Sequence, residues 1–200
     1  GLGVLLAMKE DAPARGWLEG AALADLVDAA ATLLYWKKLP PMGRTDLLCA
    51  ARVEAIDREL MAISGPVIIV AHSGGVIMLA HWAATRNRTR RPIRGALLAT
   101  PPDFESPMPE GYPTMEALAA AGWLPVPRQP LPFPSIVAAS RNDPLGKIDR
   151  VAALAQAWGS RLVDLGEVGH LNPASGFGEW PQAAEFIREL AADEPQTRVA

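Results

Sequence analysis

Short apolar runs and amphipathic segments alternate along this sequence. Four of the runs predict strands, at Val67–Val70, Gly95–Thr100, Ser135–Ser140 and Arg161–Leu165, and the first three are predicted to be buried. Apolar residues recur at helical spacing in the segments around them, which predicts helices at Arg44–Ile63, Val76–Ala84, Ile148–Trp158 and Gln182–Ala192. This alternation predicts the α/β class, with a mostly parallel sheet and helices on both of its faces.

Two segments depart from the alternation. Residues 1–43 form an atypical N-terminal segment, for which we predict a short strand at Gly3–Ala7 and a helix at Trp17–Trp36. Residues 101–134 are dense in proline and hold one short predicted helix at Thr114–Ala121. We interpret this insert either as a cap or wall over a functional site or as a loop packed on the flank of the domain.

The sequence Ala71-His72-Ser73-Gly74-Gly75 joins the first predicted strand directly to a helical pattern. A strand, a tight turn with serine at its tip and a helix have the layout of a nucleophile elbow, which presents the serine hydroxyl at the carboxyl end of the sheet. Small neighbours are needed because strand and helix nearly touch there. The N–H of Gly74 would lie at the helix start, so we predict Gly74 as an oxyanion donor. Alternatively, Ser73 is only a helix N-cap.

Two further polar side chains follow predicted strand ends. Asp143 follows Ser135–Ser140, and His170 follows Arg161–Leu165. The carboxyl ends of parallel strands share one edge of the sheet, so we predict that Ser73, Asp143 and His170 gather there. A serine hydroxyl needs a base to remove its proton, and the histidine needs a carboxylate to fix its tautomer. Their chain order is that of an α/β-hydrolase.

Other acids and histidines compete for these roles. Asp103 also follows a predicted strand and is the runner-up acid, but Asp143 is one strand nearer to His170 in the sequence. His72 precedes the serine on its strand and points the opposite way, so we predict that it supports the turn. His81 lies on the helix after the elbow, where we predict a packed or surface side chain.

Composition and charge exclude several classes of function. The 200 residues suffice for one sizeable core, so we predict a single domain over residues 1–200. The net charge is −3, which disfavours nucleic-acid binding, and we interpret the basic run at 86–91 as a solvated loop. No apolar run is long enough to span a membrane.

The few metal-binding side chains predict that no cofactor or metal is needed. One cysteine, Cys49, and three scattered histidines give no zinc-ligand cluster. A lone cysteine also fits a reducing compartment. Since residues 1–6 lack a charged n-region, we predict no signal peptide and a cytoplasmic location.

Four motifs resemble one family. They are Val-Ala-His-Ser-Gly-Gly at 70–75, Ala-Thr-Pro-Pro-Asp at 99–103, Ala-Ser-Arg-Asn-Asp-Pro at 139–144, and Gly-His-Leu-Asn-Pro-Ala-Ser-Gly-Phe-Gly-Glu-Trp-Pro at 169–181. They resemble the small serine hydrolases related to retinoblastoma-binding protein 9 and the bacterial YdeN-type hydrolases, from about Arg44 to Leu190. The resemblance implies a compact α/β-hydrolase fold, a triad at Ser73, Asp143 and His170, and carboxylesterase or peptidase activity.

Two departures from the family pattern concern the oxyanion hole. Relatives have leucine after the serine, where this chain has Gly74, which frees the backbone. Relatives also open with a strand and a Pro-Gly loop leading to His-Trp, which should give the second oxyanion N–H. Residues 1–43 contain no match to that loop, so the second donor is unknown.

The predicted function is hydrolysis of small acyl esters through a Ser-His-Asp triad and an acyl-enzyme. One alternative is a catalytically weak protein-binding module on a hydrolase scaffold, which would have a protein partner. Another is an aminopeptidase or amidase with the same triad, for which Asp103 and Glu105 would hold the substrate amine. The expected ligand is a small-molecule ester or amide. The sequence does not determine the natural substrate, the acyl specificity or the oligomeric state.

Overall fold

The computed structural model describes residues 5–8, 43–63, 65–85 and 93–192. Its sheet has five strands in the order β1-β2-β3-β4-β5. The strands are β1 Leu5–Met8, β2 Val67–His72, β3 Ile93–Ala99, β4 Ser135–Ala139 and β5 Arg161–Asp164. Strands β2 to β5 are parallel, and β1 lies antiparallel to β2 at the edge. The predicted mostly parallel sheet is therefore confirmed.

Five helices are described. They are α1 Gly43–Ala62, α2 Gly74–Thr85, α3 Met115–Ala120, α4 Ile148–Trp158 and α5 Pro181–Ala192. Helix α2 begins two residues earlier than predicted, because Ser73 alone makes the turn out of β2. A left-handed Gly159, with φ 67°, ends α4. The predicted helix at Trp17–Trp36, the basic run at 86–91 and the tail after Ala192 lie outside the described residues.

Side chains of β2 alternate between two cores, which lie on opposite faces of the sheet. Val67, Ile69 and Ala71 belong to the larger core, which they share with helices α1, α2 and α4. Ile68 packs instead with Phe186 of α5 in the smaller core. Helices therefore cover both faces, as predicted. None of the helices in the described part of the chain is long and apolar enough to cross a membrane.

The proline-rich insert packs on the larger core. Trp123 and Phe133 are buried there, and the Phe133 ring stacks on Trp82 of α2 with centroids 6.4 Å apart. The indole N–H of Trp158 donates a hydrogen bond to the Pro127 carbonyl at 2.8 Å, which ties the insert to the end of α4. Thr114 caps α3 by accepting a hydrogen bond from an N–H of its first turn. That the insert also walls the functional site stays a prediction.

Candidate active site

Ser73 lies at the sharp turn between β2 and α2. Its φ of 55° is in the left-handed region, which a non-glycine residue occupies only at an energetic cost. The Ser73 N–H donates a hydrogen bond to the Ala99 carbonyl of β3 at 2.9 Å, so the turn is fixed to the neighbouring strand. Gly74 is the first residue of α2, where backbone N–H groups have no helical acceptor and carry partial positive charge. The strand-turn-helix layout predicted from the sequence is therefore present.

Three side chains from separate loops meet at the carboxyl edge of the sheet. The Nε2 atom of His170 lies 2.8 Å from the hydroxyl oxygen of Ser73. The Nδ1 atom of His170 lies 2.9 Å from both carboxylate oxygens of Asp143. All three residues are buried. Because an ionised carboxylate only accepts hydrogen bonds, Nδ1 carries the proton, and in the neutral ring Nε2 is left to accept the Ser73 hydroxyl proton.

The acid loop, residues 140–147 between β4 and α4, holds Asp143 in place. The backbone N–H of Leu145 donates a hydrogen bond to Oδ1 of Asp143 at 2.9 Å. The side-chain oxygen of Asn142 accepts from the Ser140 hydroxyl at 2.9 Å and from the Gly169 N–H at 2.7 Å. Asn142 therefore joins the acid loop to the loop that carries His170.

The histidine loop, residues 165–180 between β5 and α5, is folded on itself. The His170 N–H donates to the Ser175 hydroxyl oxygen at 3.0 Å. The Ser175 hydroxyl in turn donates to the side-chain oxygen of Asn172 at 2.9 Å. Asn172 also caps the short 3-10 turn at Pro173–Ser175, and this cap pattern was the available sequence signal for these two residues. Sequence reasoning did not identify Asn142, Asn172 or Ser175.

The runner-up acid has a different partner. The Asp103 carboxylate forms a two-point ion pair with Arg150 of α4, at 2.9 Å and 3.2 Å, and accepts a hydrogen bond from Ser106. Burial by itself raises the pKa of Asp103, but the hydrogen bonds from Arg150 and Ser106 outweigh it and hold the pKa below its ordinary value. The structure thus brings Asp143, and not Asp103, to His170.

The other two histidines each contact a backbone carbonyl. The Nε2 atom of His72 lies 2.8 Å from the carbonyl oxygen of His170. The Nε2 atom of His81 lies 3.2 Å from the carbonyl oxygen of Trp123. Desolvation lowers the pKa of His81, although its bond to the Trp123 carbonyl opposes the shift. His81 is half-buried with its ring edge-on to Trp123, which is the packed state of the two that the sequence left open.

No second oxyanion donor is identified among the described residues. Leu5 pairs with Ala71 and Met8 with Ile68, so the last residue of β1 lies at the end of β2 that is far from Ser73.

Between the acid loop and the histidine loop lies a cavity of about 420 Å³, lined by Asn142, Pro144, Glu167, Val168, Gly169, Ser175 and Phe177. Within the described ranges, no three histidine, cysteine, aspartate or glutamate side chains are grouped to hold a metal ion.

Comparison with known proteins agrees with this geometry. The sequence profile described as "Serine hydrolase" matches residues 46–189. A YdeN-like hydrolase from Pectobacterium atrosepticum has a similar structure, with 31% identity and a TM-score of 0.58 over 72% of this chain and 69% of that one. A monoacylglycerol lipase from Paleococcus ferrophilus shares the fold at 10% identity, with a TM-score of 0.53 over 72% of this chain and 75% of that one. No curated protein sequence matches the chain. The predicted resemblance and the α/β-hydrolase fold are confirmed.

Proposed function

This chain belongs to the serine hydrolase family, and we propose that it hydrolyses small acyl esters, with Ser73 as nucleophile, His170 as base and Asp143 as orienting acid. One observation carries the proposal. An unbroken line of hydrogen bonds runs from the Ser73 hydroxyl through both ring nitrogens of His170 to the Asp143 carboxylate, with no contact longer than 2.9 Å. This is the geometry that proton transfer from a serine hydroxyl requires.

The reaction then follows from these contacts. His170 Nε2 takes the hydroxyl proton while the Ser73 oxygen attacks the ester carbonyl carbon. The oxyanion that forms lies beside the N–H of Gly74, at the positive end of α2. The C–O bond to the leaving alcohol breaks, the alcohol oxygen takes the proton from His170, and an acyl-enzyme remains. Water, deprotonated by His170, attacks the acyl carbon. The bond from that carbon to the Ser73 oxygen then breaks, His170 returns the proton to Ser73, and the carboxylic acid is released.

Burial of Asp143 and His170 strengthens this arrangement. Both side chains are largely excluded from water, with exposed fractions of 2% and 6%. In such surroundings the carboxylate stabilises the imidazolium that forms when His170 takes the proton, because little solvent screens the two charges. The Leu145 N–H occupies one carboxylate oxygen and so fixes its direction.

Ion pairs with two arginines favour an ester over the N-terminus of a peptide as substrate. An aminopeptidase needs an uncompensated carboxylate near the site to hold the substrate amine. Asp103 and Glu105 were the candidates, but both accept hydrogen bonds from Arg150, and Glu105 also pairs with Arg128. Their negative charge is therefore already matched by arginine.

Labelling with an active-site fluorophosphonate probe and hydrolysis of p-nitrophenyl acetate test the proposal. Wild type should react with both, and Ser73→Ala and His170→Ala should react with neither. Ser160→Ala is the matched control, because Ser160 is hydrogen-bonded to Ser135 at the base of β5 and should label like wild type. A folded wild type that neither labels nor hydrolyses the ester would refute the proposal and favour the non-catalytic binding module.

Substrate class is tested on the same samples. Rates on p-nitrophenyl acetate and on alanine p-nitroanilide should differ strongly in favour of the ester. Equal or faster cleavage of the anilide, lost in Ser73→Ala, would instead support the aminopeptidase reaction.

A further inference from the structure

His170 lies in a segment that no regular secondary structure supports. The residues on either side of it, Gly169 and Leu171, both have left-handed backbones, with φ 62° and φ 50°. Neither a helix nor a strand ladder can continue through such a segment, so separate hydrogen bonds must fix the position of His170. Its N–H is held by Ser175, within the same loop.

The His170 carbonyl is held from the nucleophile strand. His72 Nε2 lies 2.8 Å from this oxygen, and the two imidazole rings are 5.0 Å apart between centroids. A carbonyl oxygen only accepts hydrogen bonds, so His72 Nε2 carries a proton and donates it. The Thr100 hydroxyl, at the end of β3, approaches the same oxygen at 3.5 Å, which is a weak contact.

Two consecutive residues of the elbow therefore contact one histidine. Ser73 meets the His170 ring at 2.8 Å, and His72, joined to Ser73 by a peptide bond, meets the His170 main chain at 2.8 Å. A single contact fixes a distance but leaves the histidine free to pivot about it. The second contact, acting with those from Asp143 and Ser175, restricts this pivoting and holds Nε2 near the Ser73 hydroxyl.

We propose that His72 is a positioning residue, which fastens the backbone of His170 to the nucleophile strand and so holds Nε2 within proton-transfer range of Ser73. This rests on the proposed function, since it matters for rate only if His170 is the base. The donor N–H of His72 is the essential feature, because either the neutral ring with Nε2 protonated or the charged ring can supply it. His72 thus acts through His170 and not on the substrate directly.

Variants at His72 test the proposal through separate effects on kcat and KM. His72→Phe keeps a ring and removes the donor, and His72→Leu is made in parallel in case the larger ring disturbs folding. We expect either to lower kcat on p-nitrophenyl acetate by about ten- to a hundredfold with little change in KM, because displacing a catalytic group by about 1 Å costs up to about a hundredfold. His72→Gln places an amide N–H at similar reach and should restore most of kcat.

His81 supplies a matched control. It also donates a hydrogen bond to a backbone carbonyl through Nε2, 3.2 Å from the Trp123 oxygen, but this carbonyl belongs to the proline-rich insert and not to the histidine loop. His81→Phe should therefore alter the melting temperature without lowering kcat.

Each result decides between outcomes. The positioning role is supported if kcat is low in His72→Phe and His72→Leu, is restored in His72→Gln and is unchanged in His81→Phe. Wild-type kcat in His72→Phe, in an enzyme that Ser73→Ala inactivates, overturns the positioning role and leaves the hydrolase function standing. The positioning role is also overturned if His72→Gln lowers kcat as much as His72→Phe does, because an N–H donor at residue 72 then does not affect the rate. If wild type neither labels nor hydrolyses esters, both proposals fall.

Discussion

A Cβ atom on Gly169 would lie 2.5 Å from Cβ of Ser175, closer than two such atoms ever approach. Gly169 directly precedes His170 in the chain, and the Ser175 hydroxyl oxygen accepts a hydrogen bond from the His170 N–H. Gly169 also has φ 62°, which favours glycine. The histidine loop therefore closes tightly enough to fix His170 only because residue 169 has no side chain.

Gly169→Ala should consequently lower both stability and activity. The left-handed backbone costs about 1–2 kcal/mol for a residue with a Cβ. The collision with Ser175 adds an overpacking cost of about 1–3 kcal/mol and displaces His170. Urea unfolding and kcat on p-nitrophenyl acetate measure the two effects.

Gly176→Ala separates backbone strain from collision. Gly176 lies in the same loop with φ 72°, but a Cβ there would meet nothing within 4 Å. Gly176→Ala should lose only the free energy of unfolding that the left-handed backbone costs, and its kcat should stay near that of wild type. Equal losses in Gly169→Ala and Gly176→Ala would show that the contact with Ser175 is unimportant.

Asn142→Ala should loosen the connection between the acid loop and the histidine loop. The variant loses the acceptor for the Ser140 hydroxyl and the Gly169 N–H, at about 0.5–1.5 kcal/mol for each hydrogen bond. We expect a lower kcat together with this loss of stability in urea unfolding. Arg141→Ala is the control, because its exposed ion pair with Asp164 contributes little. An Asn142→Ala variant that matches Arg141→Ala in both measurements would contradict the bridging role.

Exchanging each candidate acid for its amide distinguishes Asp143 from Asp103. Asp143→Asn keeps the shape but presents an amide to Nδ1 of His170, which favours the wrong tautomer, so kcat should fall by about 10⁴-fold. Asp103→Asn should retain kcat within a fewfold, because that carboxylate binds Arg150 and not His170. Steady-state kinetics at neutral pH measure both. Loss of activity in Asp103→Asn with a normal fold would reverse the assignment.

The Asp103–Arg150 ion pair should make stability depend on acid pH. Burial opposes the charge of Asp103, but Arg150 and Ser106 lower its pKa overall. A carboxyl whose pKa is lower in the folded than in the unfolded chain stabilises the fold above the unfolded pKa of about 4. That contribution is lost as the pH falls through the folded pKa. Urea unfolding at pH 7, 5 and 3 should therefore show a smaller advantage of wild type over Asp103→Asn as the pH falls.

Arg150→Gln tests the cause of that dependence. Without the guanidinium, the buried carboxylate of Asp103 loses the partner that lowers its pKa, so the acid-dependent part of the stability should shrink as it does in Asp103→Asn. If wild type and both variants lose stability in parallel between pH 7 and pH 3, the ion pair is not the source.

Much of the fold could be predicted because its signals are local. Apolar runs and helical spacing placed β2 to β5 and the helices α1, α2, α4 and α5 within about two residues of their observed ends. Small residues around Ser73 predicted the turn, since only a close approach of strand and helix requires them. Parallel strands then imply that Ser73, Asp143 and His170 share one edge, which is as far as sequence spacing reaches.

The sequence by itself determined which polar side chains stand at the carboxyl ends of the strands. Only the tertiary structure decided how they pair: Arg150 binds Asp103 from 47 residues away, and His72 reaches the His170 carbonyl across 98. The periodicity of apolar residues indicates only which side of a short segment is buried. It therefore contains no information about a partner residue that lies on another loop. Whether two polar atoms form a hydrogen bond depends on differences of a few tenths of an ångström in the distance between them. The packing of the whole sheet and its helices sets that distance.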